Sequence, residues 1–111
     1  MKRYVIPATL FYSLVLYPSL AHAETLEVTV QIKDHRFTPE TVKVPAGKKV
    51  KLVVENLDPT SEEFESYELN REKVVAGNAK ITVFIGPLNP GQYKFFGDFN
   101  PKTAVGVVEA E

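Results

Sequence analysis

The sequence has no cysteine, no tryptophan, a single methionine and two histidines among 111 residues. Without cysteine there can be no disulfide, thiolate metal ligand, iron–sulfur cluster or thiol nucleophile. Neither haem nor an iron–sulfur centre is expected. No Gly-rich phosphate loop is present, and Ser61 and Ser66 lie in no Gly-x-Ser-x-Gly elbow, so the chain lacks the pattern of a nucleotide-binding enzyme or a serine hydrolase. A long apolar run occurs only at the start, and nothing beyond residue 23 is apolar enough to cross a membrane.

That apolar start reads as an address. Lys2 and Arg3 form a positive head, Tyr4 to Leu20 is an apolar stretch interrupted by Pro7 and Pro18, and Ala21-His22-Ala23 is an A-x-A cleavage site. Residues 1–23 are therefore expected to be a cleavable signal peptide, and residues 24–111 one exported domain without membrane insertion. No lipobox cysteine is available for a lipid anchor. Processing removes Met1 and His22, leaving His35 as the domain's histidine. It also removes Lys2 and Arg3 from 13 basic residues, leaving 11 against 14 acidic ones, a formal charge of −3. This balance, with basic residues scattered, disfavours a nucleic-acid partner. Lys48, Lys49 and Lys51 do gather on one predicted strand, where they read as a solvated edge that discourages edge-to-edge pairing.

The rest of the chain alternates apolar and polar residues with period 2, the pattern of strands with one face in a core. Leu26, Val28, Val30 and Ile32 alternate with Thr25, Glu27, Thr29 and Gln31. Val42 and Val44 lead into Pro45-Ala46-Gly47, and Val50, Leu52 and Val54 precede an exit at Asn56-Leu57-Asp58-Pro59. Further strands are predicted over Lys73 to Val75, Lys80 to Ile85, Gln92 to Phe96 and Val105 to Glu109. Short strands at this spacing predict an all-β sandwich of about seven or eight strands. Glu62 to Arg71 is ambiguous between a strand and a helical turn.

Candidate chemistry rests on oxygen donors. Hard cations take several carboxylate oxygens, and ferrous iron accepts carboxylate with imidazole. In an extended Glu62-Glu63-Phe64-Glu65-Ser66 segment with Phe64 inward, Glu63 and Glu65 share the outward face. They read either as metal ligands or as a solvated acidic edge. His35, before Phe37-Thr38-Pro39, reads as a turn-stabilising surface residue or as a ligand that would need the glutamates close by. Asp98 and Asn100, in the segment from Gly97 to Gly106, read as oxygen donors at a sandwich end or as residues that satisfy turn amides.

From Val28 to Glu109 the sequence resembles the cupredoxin-like family, which implies a Greek-key β-sandwich. Blue-copper members carry Tyr-x-Phe, then cysteine, a short loop to histidine, and methionine. Here Tyr93-Lys94-Phe95-Phe96 is followed by Gly97 at the cysteine position, Asn100 at the histidine position and Thr103 near the methionine. The other histidine follows an Asn-x-Asp, and here Asn56-Leu57-Asp58 leads to Glu62 or Glu63. A type 1 copper site is excluded by inventory. Lys33-Asp34-His35-Arg36-Phe37-Thr38-Pro39, Glu62 to Ser66 and Gly97-Asp98-Phe99 are similar to the small periplasmic cupredoxin-like components of bacterial ferrous-iron uptake systems, of the EfeO type. That resemblance implies a periplasmic location and an iron or copper ion as ligand. It also implies an iron permease and a second periplasmic metal-binding protein as partners. Asn100 departs from that pattern, which has histidine there.

The reading that follows is a periplasmic metal-binding protein using Glu63 and Glu65, with His35, Asp98 and Asn100 contributing. It would assist ferrous-iron uptake without being a blue-copper electron carrier. Any redox step would fall to a carboxylate–imidazole site or to a partner. The alternative is a metal-free module that docks an iron permease or a periplasmic partner.

Overall fold

The computed structural model describes residues 25–111, so the predicted signal peptide lies outside the described residues. The described residues form nine strands and no helix: β1 (Leu26–Lys33), β2 (Arg36–Thr38), β3 (Thr41–Val44), β4 (Val50–Asn56), β5 (Glu62–Ser66), β6 (Arg71–Val75), β7 (Lys80–Ile85), β8 (Gly91–Gly97) and β9 (Val105–Ala110). One sheet has the order β2-β1-β4-β7 and the other β3-β9-β8-β5-β6. Because the chain passes repeatedly between sheets, β1 lies parallel to β4 and β3 parallel to β9. The predicted all-β sandwich is observed.

Alternation explains the core. In β4, Val50, Leu52, Val54 and Asn56 are buried while Lys51, Val53 and Glu55 are half-buried on the outer face. The inner faces meet at Phe37, Phe64 and Phe95, contributed by β2, β5 and β8. Phe37 stands edge-on to Phe64 and Phe95 at 6.3 and 4.8 Å, and Phe64 stacks on Phe95 at 5.1 Å. Such pairs contribute roughly 0.5–1.5 kcal/mol each beyond area burial, and here they join the two sheets.

Two expectations change. The lysine group does not mark an edge, because β4 lies between β1 and β7. Lys51 instead pairs with Glu27 across the neighbouring strand at 3.4 Å, and the Lys49 ammonium sits 5.1 Å from the Phe84 ring centre. The ambiguous stretch from Glu62 to Arg71 resolves into a hairpin. β5 and β6 are joined by Tyr67-Glu68-Leu69-Asn70, with Asn70 in the left-handed region at φ 56°. Glutamate is a poor strand former, so pairing on both sides and the buried Phe64 hold β5 extended. Ser66 closes the turn: its hydroxyl donates to the Lys94 carbonyl at 2.6 Å and accepts from the Leu69 amide at 3.0 Å.

Candidate metal centre

β5 sends its side chains to two places. Phe64, Glu62 and Ser66 point inward and are buried, whereas Glu63 and Glu65 point outward and are half-buried. On the outer face Glu65 lies opposite Glu72 of β6 on one side and Phe96 of β8 on the other. The carboxylate oxygens of Glu63, Glu65 and Glu72 come within 4.8 Å of one another. Oxygen donors around a hard cation, at about 2.1–2.6 Å from it, stand roughly 3–5 Å apart, so these three can share one ion. Asp98 joins from the loop after β8, held there by its amide, which donates to the Glu63 carbonyl at 2.9 Å.

The electrostatics follow from crowding. Partial burial, then the charges of Glu72, Glu65 and Asp98, push the Glu63 carboxyl above its ordinary value. Partial burial, then Asp98 and Glu72, push Glu65 up likewise. Among the described residues no lysine, arginine or histidine forms an ion pair with this group.

Glu62 is the residue that the sequence reading passed over as a site. It is 2% exposed, and its carboxylate accepts from the Glu63 amide at 2.9 Å, the Phe99 amide at 2.8 Å and the Asn100 side-chain amide at 2.9 Å. Gly97 packs directly on it: a Cβ at position 97 would lie 2.5 Å from Glu62 Cδ and 2.8 Å from the Ala104 Cβ. The signal was available, since period 2 places Glu62 on the face of Phe64. Glu72 was also missed, because cross-strand register cannot be read from one sequence.

The other candidates are engaged elsewhere. Asn100 spends its amide on Glu62. His35 shares with Asp34 the two left-handed positions of the β1–β2 hairpin, at φ 59° and 52°. Both their amides donate to Asp58, at 2.9 and 2.7 Å, and His35 Nδ1 lies 3.6 Å from the same carboxylate. Burial opposes ionisation of Asp58. The His35 and Asp34 amides, helped by the charges of His35 and Lys33, outweigh it and hold that carboxyl below its ordinary value. The structure thus brings Glu63, Glu65 and Asp98 together with Glu72. Within the described residues, His35 belongs to no such convergent group.

Two stacked sheets in this strand order, with Glu62, Gly97 and Asn100 converging beside the β8–β9 loop, define a cupredoxin-like sandwich. The chain belongs to the cupredoxin-like family, whose domain model matches residues 6–109. An uncharacterized protein of Rickettsia prowazekii (strain Madrid E) is 39% identical over 113 residues, covering 96% of this chain and 90% of that protein. Among solved structures, auracyanin A, a blue copper protein from Chloroflexus aurantiacus, aligns with TM-score 0.67 at 10% identity over 79% of this chain and all of that one. The metal-binding domain of the Cu(I)-exporting P-type ATPase CopA of Streptococcus pneumoniae D39, determined with Cu(I), aligns with TM-score 0.68 at 12% identity, over 80% and 97%. At these identities the structures establish the fold. The residues here do not fit a type 1 copper ion, because the sequence has no cysteine to supply the thiolate.

Proposed function

We propose that this is an exported cupredoxin-like protein of the periplasm that takes a hard divalent cation, ferrous iron foremost, as cargo for an uptake system. The ion sits on Glu63 and Glu65, with Glu72 and Asp98 completing an all-oxygen set. One observation carries the reading: three carboxylates converge within 4.8 Å with no cationic side chain paired to them among the described residues. Oxygen-only ligation favours hard and ferrous ions over copper. In this proposal His35 stays on Asp58 and Asn100 on Glu62, outside the ion's ligand set, and an iron permease with a second metal-binding protein are the partners.

Anaerobic calorimetric titration with Fe(II), beside Cu(II), tests it. Binding at micromolar concentration or tighter, weakened about 10–100-fold or more in Glu63→Gln/Glu65→Gln, supports the site. No heat with either ion, or binding that the variant keeps, overturns it.

A second reading is favoured by the interior. Buried Glu62 is satisfied by three N–H donors of the protein itself, and Phe99 stands 51% exposed beside it, which suits a metal-free docking module. Iron uptake in cells that survives Glu63→Gln/Glu65→Gln would favour docking.

A further inference from the structure

Burying a carboxylate is costly unless it is hydrogen-bonded or paired. Glu62 is buried with no salt-bridge partner among the described residues, yet three N–H groups converge on it. They come from two elements. The Glu63 amide belongs to β5, and the Phe99 amide and Asn100 side chain belong to the β8–β9 loop. A carboxylate accepts, so Asn100 presents its NH₂ group, not its oxygen, to Glu62. Gly97, which the sequence resemblance sets at the cysteine position, leaves the space that the carboxylate fills: a Cβ there would lie 2.5 Å from Glu62 Cδ.

We infer that Glu62 is a built-in anionic replacement for a metal ion. It ties the loop from Asp98 to Ala104 to β5 with no ion present, and it closes the interior position to copper. Further bonds set the same loop: the Gly97 amide donates to the Ala104 carbonyl at 2.8 Å, and the Asn100 amide to the Gly97 carbonyl at 3.1 Å. The face carrying Asp98 and Phe99 is therefore preformed, and its display does not depend on metal.

Amide hydrogen exchange of the processed protein tests this, using Glu63→Gln/Glu65→Gln/Glu72→Gln as background so that outer-face binding does not contribute. With a chelator present, the Phe99 and Glu63 amides should be protected, and adding Cu(I) or Cu(II) should leave them unchanged. Asn100→Ala removes one of three donors and should lower Phe99 protection about tenfold. Glu62→Ala, which removes the acceptor of all three bonds, should lower it further. Should that variant not fold, Asn100→Ala carries the test. The inference is overturned if the two amides become protected only when copper is added. It is equally overturned if copper binding in the background is abolished by Glu62→Ala, or if Asn100→Ala leaves protection unchanged.

Discussion

Asp58 and the outer glutamates pull stability in opposite directions with pH. The folded Asp58 carboxyl lies below its unfolded value, so its contribution is present in full above the unfolded value and is lost as pH falls through the lowered one. Asp58→Asn should cost about 1–3 kcal/mol at neutral pH, from weakened bonds to the Asp34 and His35 amides, and should flatten the acid limb of a Tm-against-pH curve. Glu63 and Glu65 behave the other way. Their folded values are raised, so their crowding weakens the metal-free protein at neutral pH and is relieved as pH falls through those values. Glu65→Gln should accordingly raise the neutral-pH Tm of the metal-free protein while weakening cation binding. Gly97→Ala should cost about 1–3 kcal/mol by denaturant unfolding, because the new Cβ meets both Glu62 and Ala104. Only part of this scale was legible in the sequence. Phe64 facing inward correctly sent Glu63 and Glu65 outward, but the same alternation sent Glu62 inward, where an acidic residue reads as improbable until its three donors are seen.

At the scale of elements, the β5–β6 hairpin carries the proposed site. Its inner face is anchored by Phe64 between Phe37 and Phe95, and its outer face places Glu65 beside Glu72. Phe64→Ala should cost about 3–5 kcal/mol in denaturant unfolding, and cation affinity should fall with it as β5 loses its seat. Unchanged affinity in a folded Phe64→Ala protein would mean that the carboxylates do not need the strand. Most strands were legible because Val and Ile alternate cleanly in β1, β4 and β7. β2 was not, since three residues carry too little periodicity, and β5 was obscured because glutamates occupy positions that long-range pairing makes extended. Strand order explains the misread lysines: an edge is a property of the sheet, not of the segment.

At the scale of the molecule, the cupredoxin-like fold is retained, and the proposed cation site lies on an outer face of it. Inside the sandwich Glu62 is held in a hydrogen-bond cluster with Glu63, Phe99 and Asn100, while Glu63, Glu65 and Glu72 gather on the outer face of the five-stranded sheet. Cation binding there should weaken as pH falls through the raised carboxyl values, since protons compete for the same oxygens. The most direct measurement is anomalous diffraction at the iron edge from crystals loaded anaerobically with Fe(II). The account predicts a peak over the outer face of β5 and β6, among Glu63, Glu65 and Glu72, and none between Glu62 and Asn100. A peak at the interior position, or no ordered iron at saturating concentration, would contradict it.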